Sequence, residues 1–270
     1  MIITGFIAFL IIGLTLGLIG GGGSILGVPV LVYILNYSAE EATTYSLFIV
    51  GFISLIGAIS YLRKGEISAE ALLQFALASM ITIFCMRKFV MPSIPVQFHF
   101  LNFEISKNTL IMVIFSLLIL SSSFSMIRKR KPNSTSQVKW DEFARSPLGL
   151  PFVIILGILV GTITGFVGAG GGFIIVPVLI FFLRLKFKKA IGTSLCIIAI
   201  NSLVGFSGNL GNQEINWSFL LSISTISILG ILIGSRLSSK VPSKKLKPAF
   251  GWFTLTVGFF VLIKETLFSN

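Results

Sequence analysis

The chain has 270 residues, of which 54% are hydrophobic and only 11% are charged, and its mean hydropathy is +0.99. These values exclude an ordinary soluble domain, because so apolar a chain lacks the polar residues needed to face water. The formal net charge of +12 does not indicate nucleic-acid binding, because the Lys and Arg residues lie in short loops between apolar runs. The composition therefore predicts a multi-pass membrane protein.

Apolar runs of about 18 residues or more are candidates for membrane-spanning helices. In chain order, the candidates are 2–20, 42–62, 67–86, 110–127, 150–168, 191–210, 217–234 and 250–263 with its flanks. Two further apolar runs, 25–35 and 173–183, are too short to cross a bilayer alone. We predict an all-α integral membrane fold with a first repeat at 1–127, a basic cytoplasmic linker at 128–146 and a second repeat at 147–270.

The two repeats come into register when the sequence is shifted by a constant 148 residues. The shift aligns the glycine-rich run 20–24 with 168–172, and a Val-Pro-Val-Leu motif at 28–31 with an identical motif at 176–179. Apolar composition alone would not align glycine and proline, so duplication is the simplest explanation. Each repeat is predicted to contain a first helix, a glycine-rich break, a short second helix and three further helices.

The orientation of the repeats follows from the positive-inside rule. Loop 184–189 is basic, whereas its counterpart 36–41 is acidic; the next loop reverses the pattern, with Arg63 and Lys64 opposite an uncharged 211–213. Equivalent loops are therefore predicted on opposite sides of the membrane, as in the inverted-topology repeats of many secondary transporters.

Arg87 and Lys88 depart from this charge pattern. We interpret both as snorkelling from the outer end of their helix. With that interpretation, no Asp, Glu, Lys or Arg lies clearly in mid-membrane. The sequence therefore offers no carboxylate for a proton relay.

Both glycine runs interrupt apolar segments, and each glycine costs a helix about 1 kcal/mol relative to alanine, so the helix is expected to break there. We call the two glycine-rich breaks, 20–24 and 168–172, the tips. Irregular backbone at membrane depth must face protein or water, so we expect both tips to point into the interior of the protein. The first amides of the helix after each tip would then bind an anion. The predicted tip ligands are Gly20, Gly22, Gly23, Ser24, Gly168, Gly170, Gly171 and Gly172. The alternative is that these glycines only permit close helix packing, which we favour for Gly13, Gly17, Gly161 and Gly165.

Four polar residues in neighbouring helices complete the predicted site: Ser46, Thr193, Ser194 and Asn201. A hydroxyl in a membrane helix often bonds to its own backbone, which is the alternative for the serines and the threonine. Asn201 is included because an amide inside a span needs a partner. No metal or other cofactor is predicted, since Cys85 and Cys196 both lie in apolar runs.

The segments 17–31, 165–179 and 190–195, which carry the paired Gly-rich/Pro motif and an Ala-Ile-Gly-Thr-Ser-Leu continuation, resemble the TauE/SafE family of sulfite exporters and sulfonate transport proteins. The resemblance covers the chain from residue 2 to about 267. It implies a multi-pass permease of the plasma membrane, here a bacterial inner membrane, that moves sulfite, thiosulfate or an organosulfonate, often outward. Tyr45 stands where the second copy has Thr193, so the two halves are not identical at the site.

The main functional hypothesis is a secondary transporter, with a small anionic substrate and the lipid bilayer as its partners. We expect no nucleic acid and leave a homo-oligomer open. A membrane-embedded enzyme is the first alternative, but His99 and Glu104 in one loop do not make a catalytic set. A non-transporting membrane subunit is the second, with Trp140 in the linker as a possible contact.

Overall fold

The computed structural model describes residues 2–100, 103–127, 149–211, 214–238 and 243–267, and the predicted linker 128–146 lies outside them. Six helical segments within the described residues are long and apolar enough to cross a membrane: Ala39–Leu62, Ala69–Ser93, Lys107–Phe124, Gly149–Val167, Phe187–Asn209 and Trp217–Leu237. Six of the eight predicted spans fall on these segments. The other two are also helical, and their crossing of the membrane stays a prediction.

The first half contains α1 (Ile2–Ile19), a 3-10 helix (Gly21–Leu26), α2 (Gly27–Tyr33), α3 (Ala39–Leu62), α4 (Ala69–Cys85), a π-helical turn (Met86–Val90), α5 (Met91–Ser93), strands β1 (Gln97–Phe100) and β2 (Phe103–Ser106), and α6 (Lys107–Ile127). The two strands form one antiparallel hairpin directly before the N-terminal end of α6. The membrane-embedded part is all-α, as predicted.

The second half contains α7 (Gly149–Val167), α8 (Gly172–Phe181), α9 (Phe187–Asn209), α10 (Trp217–Leu237) and α11 (Ser243–Leu267). The chain leaves each short helix in the same way, since Asn36 and Arg184 occupy equivalent positions and both have a positive φ, of 58° and 52°. A Ser38–Glu41 capping box then starts α3. Such a box satisfies two amides that have no partner inside the helix.

Helices of one half pack on helices of the other through glycines. Gly13 and Gly17 on α1 lie against the backbone of α10 near Ser227 and Ile231, and Gly161 on α7 lies against the backbone of α4 near Ser79. A side chain at any of these glycines would collide with backbone atoms. The prediction that these glycines serve close packing is therefore confirmed.

The central pair, α3 and α9, runs antiparallel. Thr44 near the start of α3 contacts Asn209 at the end of α9, Gly51 lies beside Ser202, and Gly57 lies beside Leu195. Residues later in α3 thus contact residues earlier in α9. Because α3 and α9 are the equivalent helices of the two halves, their directions in the bundle are opposite.

The same holds for α6 and α11. Ser123 on α6 hydrogen-bonds to Thr254 on α11, and Gly258, one turn later on α11, lies beside Ile119, one turn earlier on α6. These two helices also occupy corresponding places in the halves and also run antiparallel. Two pairs of equivalent helices, α3 with α9 and α6 with α11, therefore run antiparallel.

Candidate functional site

The two glycine-rich tips meet in the interior of the bundle. The 3-10 helix Gly21–Leu26 packs against the start of α8, and Gly21 touches Gly172 backbone to backbone. A Cβ added to Gly172 would lie 2.5 Å from the carbonyl carbon of Gly21, and closer still to its oxygen and Cα. Only glycine permits this approach, so the two breaks are built to touch.

The tips depend on backbone conformations that favour glycine. Gly20 ends α1 with a φ of 76°, and Gly168 ends α7 with a φ of 71°. Gly170 and Gly171 follow with φ values of 68° and 70°. An L residue pays a steric penalty in this region, which explains glycine at these positions.

All eight predicted tip residues are buried. Gly20 lies beside Ile191, and Gly168 lies beside Thr43. Gly23 packs on Leu16 of α1, Gly171 packs on Thr164 of α7, and Gly170 faces the hydroxyl of Ser202, while Gly22 is buried within the 3-10 helix. The eight residues therefore form one continuous buried region.

The first tip differs from the expected start of an α-helix. Gly21–Leu26 is a 3-10 helix, and α2 follows it directly. The Ser24 hydroxyl donates a 2.7 Å hydrogen bond to the carbonyl oxygen of Gly21, which occupies that oxygen within the turn. At the second tip, α8 starts at Gly172, and its N-cap Gly171 has no side-chain cap.

The four predicted residues outside the tips have different surroundings. Thr193 accepts a 2.9 Å hydrogen bond from the amide of Ser68, and the Ser194 hydroxyl donates to the carbonyl oxygen of Ile191. The Asn201 amide and the Ser79 hydroxyl are hydrogen-bonded to each other, with distances of 2.9 and 3.1 Å. Protein groups thus already pair with these three side chains.

Ser46 is different, because its buried hydroxyl has no hydrogen-bond partner among the described residues. It points toward the junction of the 3-10 helix and α2, where a Cβ on Gly27 would lie 2.6 Å from Ser46 Oγ. Ser202 also has an unpaired buried hydroxyl, and it lies beside Gly170 of the second tip. Ser202 therefore lies next to the second tip, and Ser46 lies beside Gly27, three residues after the first tip.

A cavity of about 370 Å³, lined by both polar and apolar residues, lies at the end of the bundle where α3 begins and α9 ends. Its lining comprises Glu40, Thr44, Arg87, Met91, Pro92, Ile94, Val96, Lys107 and Asn209. Lys107 forms a 2.9 Å ion pair with Glu40 and also donates to the carbonyl oxygen of Met91. Asn209 donates to the Thr44 hydroxyl. The cavity therefore carries two cations and one anion.

The interpretation of Arg87 as a snorkelling residue is wrong. Its side chain is only 1% exposed, and Nη1 donates a 3.1 Å hydrogen bond to the Thr43 hydroxyl. Arg87 lies in the π-helical turn Met86–Val90, which changes the helical phase after α4. A π turn is not visible in an apolar pattern, and such turns are frequent at functional sites. Lys88, the next residue, is exposed.

The opposite end of α3 is tied together by hydrogen bonds. The Tyr61 hydroxyl lies 2.8 Å from Ser238 Oγ and 3.3 Å from the carbonyl oxygen of Gly17. Tyr61 is the counterpart of Asn209 under the 148-residue shift, and Ser235 is the counterpart of Arg87. The two ends therefore differ in chemistry, and the buried cations of the described residues, Arg87 and Lys107, are both at the cavity end.

Comparison with known proteins identifies the family. The model of the sulfite exporter TauE/SafE family matches residues 5–261. The chain belongs to the TauE/SafE family. It is 27% identical over 256 residues to a probable membrane transporter protein of Xylella fastidiosa, with 93% of this chain and 91% of the relative covered. It is also 24% identical over 289 residues to the probable membrane transporter protein YunE of Bacillus subtilis, with 98% and 99% covered.

This TauE/SafE protein is also 33% identical over 112 residues to a probable membrane transporter protein of Methanocaldococcus jannaschii. That shorter match covers 39% of this chain and 42% of the relative. No solved structure is significantly similar to the chain. The family resemblance predicted from the glycine and proline motifs is confirmed, and so is a multi-pass protein of the plasma membrane. A membrane transporter family is consistent with a function other than catalysis.

Proposed function

We propose that this TauE/SafE protein is a secondary transporter, working as an exporter, for a small sulfur-containing anion such as sulfite, thiosulfate or an organosulfonate. The family description supports the substrate class. The observation that carries the mechanism is the backbone contact of Gly21 with Gly172, which joins the two helix breaks inside the bundle.

The two halves, 1–127 and 147–270, are inverted repeats in this proposal, and the segment 128–146 links them on the cytoplasmic side. The antiparallel arrangement of α3 with α9, and of α6 with α11, supports opposite orientations. In each half, the first helix and the short helix after the glycine-rich break form a helical hairpin, and hairpins from opposite faces then bring their tips together near the midplane. Movement of the hairpins against α3 and α9 would expose the site to one side at a time.

The anion is bound by backbone N–H groups at the tips. Amides in the first turn of a helix have no intrahelical acceptor, and the helix dipole adds a partial positive charge there. Ser46 and Ser202 offer unpaired hydroxyls near the tips. Glycine leaves the backbone open to a ligand, so the site binds charge without a large pocket.

Transport by the purified protein in proteoliposomes tests the proposal. Vesicles loaded with radiolabelled sulfite should lose it faster than protein-free vesicles, and unlabelled sulfoacetate or thiosulfate should compete. Gly22→Leu and Gly170→Leu should abolish this flux, because a side chain would fill the tip.

Gly65→Leu is the matched control for Gly170→Leu. Gly65 has a φ of 67°, against 68° for Gly170, but an added Cβ there meets nothing within 4 Å. The positive φ is therefore matched, and only the tip variant should lose transport. Full flux in both tip variants would contradict a site at the tips.

A further inference from the structure

The guanidinium of Arg87 is buried but incompletely bonded. Nη1 donates to Thr43, whereas Nε and Nη2 have no hydrogen-bond partner among the described residues. These two nitrogens form one edge of the planar guanidinium, and an oxyanion binds such an edge through two parallel hydrogen bonds. The unpaired atoms are thus a matched pair of donors.

A buried cation of this kind requires a counter-charge. Burial of an unpaired ionised group is strongly unfavourable unless an anion compensates it. Among the cavity-lining residues, Glu40 is the carboxylate, and its Oε1 is 2.9 Å from Lys107 Nζ. Glu40 can balance only one of the two cations Arg87 and Lys107, so the lining retains one excess positive charge.

Arg87 also connects the cavity to the second glycine tip. It lines the cavity, and its Nη2 lies so close to Gly168 that a Cβ there would overlap it. Gly168 begins the tip whose amides are proposed to bind the anion. An anion entering the cavity therefore meets the guanidinium next to that tip.

The size of the cavity indicates a small ligand. Ligand pockets are usually about 300–1,000 Å³, and a cavity of about 370 Å³ is at the lower end of that range. The polar side chains of Thr44 and Asn209 flank it, while Met91 and Ile94 supply an apolar wall. Such a lining suits a small oxyanion, with or without a short carbon group attached.

We propose that Arg87 binds the sulfite or sulfonate group of the transported anion through Nε and Nη2, in a site between this cavity and the Gly168 tip. The inference rests on the proposed function and deepens it. The second half has Ser235 at the position equivalent to Arg87, so this cationic ligand is not repeated at the equivalent position. Under the predicted orientation, the cavity end faces away from the cytoplasm, and the site is the exit side of an exporter.

Direct binding to the purified full-length protein tests this site. Isothermal titration calorimetry with sulfite, methanesulfonate and chloride, at constant ionic strength, should give tighter binding of the two oxyanions than of chloride. Arg87→Gln should weaken sulfite binding roughly 10- to 100-fold, because two charge-assisted hydrogen bonds are lost. Arg87→Lys keeps the charge but not the paired donors, and should recover only part of the affinity.

Lys88→Gln is the matched control, since it removes the same charge from the adjacent, exposed position. Its affinity for sulfite should equal that of the wild type. If Arg87→Gln does not fold, Thr43→Val replaces it: this change removes the hydrogen bond that holds Nη1 and should weaken sulfite binding several-fold.

The outcomes separate this inference from the proposed function. Wild-type protein that transports and binds sulfite, with an unchanged affinity in Arg87→Gln, would overturn the Arg87 site alone. An equal loss in Lys88→Gln would overturn it too, because a general charge effect would then explain the data. Wild-type protein that neither binds nor transports any of the anions would overturn both.

Discussion

Replacement of Gly172 by Ala tests the contact between the two tips. Gly172 is the first residue of α8 and has no positive φ, so alanine is compatible with its backbone. The effect of Gly172→Ala is therefore purely steric. The new methyl group must be accommodated by moving the backbone of Gly21, since backbone atoms cannot change rotamer as a side chain would.

The required movement sets the magnitude. The added Cβ would lie 2.5 Å from the carbonyl carbon of Gly21, whereas ordinary van der Waals contact begins at 3.4 Å. The tips must separate by about 1 Å. Insertion of a methyl group into a packed core typically costs about 1–3 kcal/mol, and a rigid backbone neighbour places Gly172→Ala at the upper end of that range.

Thermal unfolding of the purified protein in detergent, with sulfite flux in proteoliposomes, measures the effect. Gly172→Ala should lower the unfolding temperature by several degrees and reduce the flux strongly. Gly205→Ala on α9 is the control, because its added Cβ meets the end of the flexible Ile83 side chain at 3.1 Å. If Gly172→Ala behaves like Gly205→Ala in both assays, the reasoning from the tip contact is refuted.

Two further substitutions have defined outcomes. Ser79→Ala removes the hydrogen-bond partner of Asn201. It should lower stability by about 1 kcal/mol, measured by thermal unfolding, while sulfite flux is retained. Loss of flux at unchanged stability would instead make Asn201 a ligand. Gly168→Ala places a methyl group on Thr43 and Arg87 at a φ of 71°, so it should weaken sulfite binding in calorimetry as well as stability. Gly211→Ala, with a φ of 90° and open space around it, should keep the affinity, and equal affinities in the two variants would contradict the contact with Arg87.

The helices of the membrane-embedded part could be predicted from the sequence because lipid makes long apolar runs stand out. The predicted run 191–210, for example, falls on α9, Phe187–Asn209, and ends one residue after it. The glycine runs marked both helix breaks for a physical reason, since Gly20 and Gly168 adopt a φ that glycine tolerates best.

The buried Arg87 could not be predicted in the same way. A hydropathy pattern places an arginine near a helix end at the surface, and the π-helical turn that alters its direction leaves no periodic signal. Tertiary contacts also determine the hydrogen-bond partners of Thr193 and Asn201. Their partners, Ser68 and Ser79, are more than 100 residues away in sequence, so no local pattern reveals them.

Opposite orientation of the two halves is the central claim, and site-directed labelling tests it most directly. Glu41 and Lys189 are equivalent and exposed, so Glu41→Cys and Lys189→Cys can be compared in a Cys85→Ala/Cys196→Ala background with a membrane-impermeant maleimide. In intact cells, Glu41→Cys should be labelled, whereas Lys189→Cys should be labelled only after the membrane is permeabilised. Labelling of both variants from the same side would contradict the inverted arrangement and the meeting of two hairpins from opposite faces.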